Sequence, residues 1–398
     1  VTPPDPARHR WLVLAIFVLS SSINYLDRQT LATLASVIRQ EYALSNQQFG
    51  YIITAFSLTY AFTAPFAGLL IDRVGLTRAI VAAVAVWSVA GIATGFSQGL
   101  AGLVVCRAIL GLAEAAGIPA AGKAIHQYLR PAERAVGNAI NQAGVSLGLV
   151  LAPPVATLLA VRYGWRNAFV LTGLLGLLWI PLWLRTSRLA PAAPIGKSAP
   201  TAAAGILSDR RLWAFMLANA VSMIGYSLWT NWTTLYLIDV HRLTLSQAAY
   251  YAWIPPVFAT AGGMAGGWAS MRWMERGRRP LDARFRACFV AALLSLPAAG
   301  IPLLPSAALA SAGISLAIFA VSAFSVNMYS MPLDAFGGAR AAFAVSTLVA
   351  SYGAVQAVVS PLFGKVVDAH GYAPLCWAAA LMPLAASGVL RWSGSVRS

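Results

Sequence analysis

The chain has 398 residues, 59% of them hydrophobic and only 10% charged, with a mean hydropathy of +0.70. A soluble domain is about 25% charged, so this composition excludes a water-soluble globule and implies a protein built within hydrocarbon. The formal net charge of +16 would suit nucleic acid, but the basic residues are spread among short loops, so no nucleic-acid partner is expected and the lipid bilayer is.

Apolar stretches long enough to cross a bilayer, about 20 residues each, recur twelve times: 11–34, 47–71, 78–97, 100–123, 135–160, 167–185, 211–238, 247–271, 285–304, 306–331, 341–366 and 372–391. The expected fold is therefore an all-α membrane protein. The first stretch is too long for a secretory signal and has no small-residue cleavage site after it. It reads as hydrocarbon-soluble helix to Ile23, then carries Asn24, Tyr25, Asp27 and Arg28 with no Gly or Pro to end it. After the second comes "GLLIDRVG", holding Gly68, Asp72, Arg73 and Gly75, followed by Arg78. The fourth carries Arg107, Gly111 and Glu114 on one helical face. The two charges lie two turns apart, about 10.5 Å, too far for a direct ion pair, and Gly111 leaves room for the first helix or a ligand. In the fifth, Gly144 and Gly148 read as close-packing positions.

Between the sixth and seventh stretches lies a segment rich in Pro, Ala and Ser, without apolar periodicity. The chain thus divides into 1–185, a linker 186–209, and 210–398. The halves echo each other: Pro154 is followed ten residues later by Gly164, and Pro361 ten residues later by Gly371. Most of the 28 Lys and Arg fall in alternate loops, including the linker and both ends. By the positive-inside rule the linker and both termini of this multi-pass protein are expected in the cytoplasm.

Asp27, Arg28, Arg107 and Glu114 remain inside the spans. A charge there costs at least about 2.5–3.5 kcal/mol, so such groups face a polar cavity or one another. The alternative is a structural cluster that fastens helices one and four. Cys106, Cys288 and Cys376 fall in apolar spans and read as small core residues. His9, His126, His241 and His370 have no metal-ligand spacing. No nucleophile elbow or phosphate loop is present, so neither an enzyme, a cofactor nor a metal is expected.

Gly68-x-x-x-Asp72-Arg73-x-Gly75-x-x-Arg78 resembles the loop signature of the major facilitator superfamily. "INYLDRQ", "CRAILGLAEAAGIPAAGKAI", "ERAVGNAINQAGVSLGLVLAPP" and "GWRNAF" resemble its anion:cation symporter family, which imports hexuronates and aldonates. The resemblance implies a twelve-helix fold of two six-helix halves and a proton-coupled symporter of a small organic anion. It implies proton coupling at Asp27 and Glu114, carboxylate binding at Arg28 and Arg107, and a conformational role for the loop residues. Its chemistry suits the residues, since arginine's planar fork matches a carboxylate. Asn24 and Tyr25 on the first helix, with Tyr60, Gln142, Asn231 and Gln356, are the expected further substrate contacts, drawn from a wider set of polar in-span residues that includes Asn138 and Asn141. The C-terminal half departs from the family pattern at Thr234, Met271 and Ala354, which leaves a monocarboxylate or aromatic acid as an alternative substrate. Proton/drug antiport is a further alternative, though Gly148 is followed by Leu149 rather than the proline of the antiporter pattern. A monomer is expected.

Overall fold

The computed structural model describes residues 6–189, 206–336 and 338–392. They are helical, with no strand among them. Helices α1 (Pro6–Thr33), α2 (Ala35–Glu41), α3 (Asn46–Val74), α4 (Leu76–Phe96), α5 (Gly99–Glu114), α6 (Gly117–Tyr128), α7 (Arg134–Tyr163) and α8 (Trp165–Thr186) come before the linker. After it come α9 (Arg210–His241), α10 (Leu245–Ala252), α11 (Ile254–Glu275), α12 (Pro280–Leu294), α13 (Ala307–Phe336), α14 (Gly338–His370) and α15 (Ala373–Trp392). Among the described residues nine helices are long and apolar enough to cross a membrane, and α3, bent by 57° between Ala64 and Phe66, makes ten. The ionic end of α1 and the prolines and glycines of α11 temper the hydropathy of those two. With them the helices occupy all twelve predicted stretches. Large apolar side chains such as Phe62, Phe96, Leu178 and Val161 stand 73%, 72%, 67% and 63% exposed, a surface that only lipid makes tolerable.

The chain forms two compact units, residues 1–38 with 55–198, and 39–54 with 199–398. Arg39–Thr54, from the first part of the chain, packs in the second unit. The predicted linker lies between the end of α8 and the start of α9, and its residues 190–205 lie outside the described ones.

In the first unit α1 packs on α7 and α8, and α4 on α5 and α8. Small residues permit this, as expected where lipid gives no hydrophobic drive between helices. A methyl at Gly144 would collide with Val18, one at Gly148 with the Ser22 carbonyl, and one at Gly173 with the Ser88 carbonyl. In the second unit α11 meets α13 in the same way, at Gly262 and Gly266 against the carbonyls of Phe319 and Ala323.

The second unit also holds the start of α3. Asp368 of α14 accepts hydrogen bonds from the Asn46 amide (3.1 Å), Asn46 Nδ2 (2.7 Å) and the Gln47 amide (3.1 Å). A carboxylate there satisfies otherwise unpaired N–H groups of the helix N-terminus and complements its dipole. Gly50 lies against Ser360 and Pro361, and Gly364 against Asn46, each too close for a side-chain carbon. The repeat noted in the sequence is a capping device: α7 and α14 each contain proline, and Gly164 (φ 86°) and Gly371 (φ 69°) end them in a conformation open mainly to glycine.

Candidate substrate-binding site

Spacing on α1 brings Asn24, Tyr25 and Arg28 together, since residues three and four apart share a helical face. The Arg28 guanidinium carbon lies 4.8 Å from the Tyr25 ring centre, 4.7 Å from that of Phe56 and 5.0 Å from that of Tyr60. This aromatic sleeve stabilises a cation out of bulk water. Arg28 Nε donates to Glu114 Oε2 at 2.9 Å, and Nη2 lies 2.7 Å from the same oxygen. The Glu114 side chain is wholly buried while Arg28 keeps 25% of its side chain exposed. Because both nitrogens share Oε2, Glu114 Oε1 is left buried without a hydrogen bond within normal geometry among the described residues, the Asn24 side chain being its polar neighbour.

This pair lines a cavity of about 550 Å³ within the first unit, together with Asn24, Tyr25, Tyr60 and Gln142. Asn138 and Asn141 of α7 line it as well, with apolar patches from Phe17, Ile118 and Val145. The volume falls within the roughly 300–1,000 Å³ of small-molecule sites.

Asp27 and Arg107 take no part in that lining. They are 3% and 2% exposed. Both Asp27 oxygens and Arg107 Nε are buried without hydrogen-bond partners among the described residues. Thr172 is a polar neighbour of Asp27, but its hydroxyl donates to the Phe169 carbonyl at 3.3 Å. The Arg107 guanidinium carbon lies 5.9 Å from the Phe169 ring centre, within the field of both Asp27 and Glu114. Adjacent residues on a helix point about 100° apart, which explains why Arg28 turns to Glu114 of α5 rather than to its neighbour Asp27. Glu114 pairs with Arg28, while Arg107 lies within the field of Glu114 and Asp27. Gly111, read as room for the first helix or a ligand, instead admits α3: a methyl there would strike the Phe56 carbonyl, with Thr59 Oγ1 at 2.5 Å.

Asn231 and Gln356 belong to the second unit. Asn231 Nδ2 donates to the Ser227 carbonyl of its own helix at 2.9 Å, and Gln356 is half-buried on α14. In the loop motif Asp72 pairs with Lys123 of α6, whose Nζ also donates to the Gly68 carbonyl at 3.2 Å. Gly75 makes the turn into α4 at φ 87°, and Arg73 and Arg78 are exposed. A side-chain carbon at Gly68 would meet only Pro119, at an ordinary 3.9 Å, so close packing is not its reason. At the corresponding place in the second unit Met271 is exposed, and the nearby ion pair is Arg284 Nε to Asp334 at 2.7 Å. Sequence reasoning passed over Phe56, Ser21 and Thr172, which carry no charge, and did not pair Lys123 with the motif.

Known proteins similar to this chain are membrane transporters. The hexuronate transporter of Escherichia coli K12 is 27% identical over 92% of this chain and 89% of its own length. A protein of Cupriavidus necator described as a probable sulfoacetate transporter is 28% identical over 98% of this chain and 93% of its own. The crystal structure of a bacterial homologue of the human lysosomal transporter Spinster superposes with a TM-score of 0.77 at 23% identity, covering 98% of this chain and 96% of that one. The pattern of the Major Facilitator Superfamily matches residues 17–348. With its helices in two units and a polar cavity between α1, α3, α5 and α7, the chain belongs to the Major Facilitator Superfamily, as a multi-pass membrane transporter rather than an enzyme.

Proposed function

We propose that the chain is a secondary active symporter that carries a small organic anion together with protons by alternating access, its substrate a hexuronate- or aldonate-type sugar acid. The observation that carries this reading is the cavity-facing Arg28–Glu114 pair. A substrate carboxylate and the Glu114 carboxylate are rivals for one guanidinium fork. A proton taken up at the unpartnered Oε1 removes the charge of the rival and frees Arg28 to hold the substrate. The anion and the proton then enter together with no net change of charge in the site. Asp27, buried beside Arg107, is the second proton-carrying candidate. Arg107 acts from outside the cavity lining, setting the field at both carboxyls. Tyr60, Asn24, Tyr25 and Gln142 supply hydrogen bonds to the substrate's oxygens, with Asn231 and Gln356 of the second unit as further candidates. The Asp72–Lys123 pair, with Gly68, Arg73, Gly75 and Arg78, is the conformational element at the α3–α4 turn.

The hexuronate specificity of a relative that aligns over nearly the whole chain supports the substrate class. The sulfoacetate relative favours a second reading, a smaller anion without a hydroxylated chain. In this reading the chain works in a bacterial inner membrane with both termini cytoplasmic, as a monomer without cofactor. Purified protein in liposomes, given labelled glucuronate and an inward proton gradient, should accumulate label that competing aldonates displace. Accumulation of sulfoacetate alone would favour the second reading, and efflux of cationic drugs would point to antiport.

A further inference from the structure

Ser21 of α1 and Asn141 of α7 both line the cavity, and Ser21 Oγ donates to Asn141 Oδ1 at 2.9 Å. Ser22, the next residue, donates to the Gly144 carbonyl at 2.8 Å, so the seam between the helices is held on both sides. The bond from Ser21 takes one of the two lone pairs of Asn141 Oδ1 and fixes which way round the amide sits. This leaves the NH₂ end, which only donates, for the cavity. Asn138 and Gln142 stand three residues before and one after, so this face of α7 spans about 6 Å along the helix with three amides in the lining.

We infer that Asn141, oriented by Ser21, is a specificity-determining residue that reads an uncharged oxygen on the substrate's carbon chain, away from the carboxylate held at Arg28. This rests on the organic-anion reading above and narrows it to anions bearing hydroxyl groups. An N–H donor turned to the cavity gains a bond from a hydroxyl oxygen and nothing from a methylene. A site built to hydrogen-bond a hydroxyl rejects the analogue lacking it far more strongly than an apolar pocket distinguishes sizes. A purely structural Ser21–Asn141 bond would join two helices and leave selectivity alone.

The experiment compares the binding constants of glucuronate and hexanoate for the full chain in detergent. The wild type should bind both, preferring glucuronate. Asn141→Asp keeps the acceptor that Ser21 needs and loses the donor. Its carboxylate can still accept from a substrate hydroxyl, so Asn141→Leu, with neither donor nor acceptor, is measured beside it; in Asn141→Leu the ratio of the two constants should fall by roughly tenfold, as for loss of one such hydrogen bond. Ser21→Ala, which leaves the amide free to turn, should lower the ratio partway while thermal unfolding confirms a folded protein. An unchanged ratio in Asn141→Leu, with wild-type glucuronate binding intact, overturns the inference and spares the anion reading. Failure of the wild type to bind either acid overturns both.

Discussion

Replacing Glu114 by Gln removes the charge that occupies Arg28 and preserves the side chain's shape. In the wild type two guanidinium nitrogens meet Oε2 at 2.9 and 2.7 Å, and a substrate carboxylate that takes this edge of the guanidinium displaces both contacts. A hydrogen bond to a charged group is worth about 1.5–3 kcal/mol net, and a tenfold change in affinity is about 1.4 kcal/mol. With the rival neutralised, anion affinity at alkaline pH should rise roughly 10- to 100-fold. At acid pH, where the wild-type carboxyl already holds its proton, the two proteins should bind alike. Titration of labelled glucuronate into detergent-solubilised protein across that pH range reads this directly. In liposomes the same variant should lose accumulation driven by a proton gradient yet retain exchange of labelled for unlabelled substrate. An affinity that falls with rising pH as steeply in Glu114→Gln as in the wild type would refute the rivalry. Undiminished proton-driven accumulation would move coupling to Asp27.

Arg28→Lys keeps the charge but loses the fork and its fit within the three rings, so anion affinity should drop by roughly 10- to 100-fold, the worth of a charged hydrogen bond. Arg107→Lys, buried outside the cavity lining, should instead lower the unfolding temperature and leave the binding constant nearly unchanged; equal loss of binding in both would restore Arg107 as a direct ligand. Asp209 caps α9, accepting from the Arg211 amide at 2.9 Å and from its guanidinium, which holds the Asp209 carboxyl below its ordinary range. Its stabilisation is therefore complete above the unfolded-state value and fades as pH falls through the lower folded one. Asp209→Ala should cost about 1 kcal/mol near neutral pH and converge with the wild type in acid, as followed by thermal unfolding.

The spans were legible because hydropathy writes itself over twenty residues at a time, and the four intramembrane charges because each is expensive enough to stand out singly. Breaks within spans were harder. The fourth stretch divides after Glu114 into α5 and α6, and the Gly117-x-Pro119 that opens α6 hints at this only once the break is known. The ninth tightens from α12 into a 3₁₀ stretch at Leu296–Leu303 carrying Pro297 and Pro302. Partnerships were not legible at all. Periodicity places Arg28 on a face of α1 but does not say which helix that face meets, so Glu114 rather than Asp27 emerged only in three dimensions. Phe56 was invisible for the opposite reason, since an aromatic residue in an apolar helix announces nothing until a cation lies over it.

The start of α3 is seated against α14 by bare backbone at Gly50 and Gly364 and by one carboxylate, Asp368. Contact of this kind has no soft tail: dispersion fades within an ångström of separation, and the uncapped amides must then find water. Such a joint is expected to act as a press-stud, closed or open, with little between. It also lies outside the cavity lining, so a single methyl offers a way to prise it apart while leaving the ligand's surroundings intact. Gly50→Ala should therefore leave glucuronate affinity near the wild-type value while changing the rate of exchange. If exchange is untouched, the first turns of α3 are fixed trim and not a moving part.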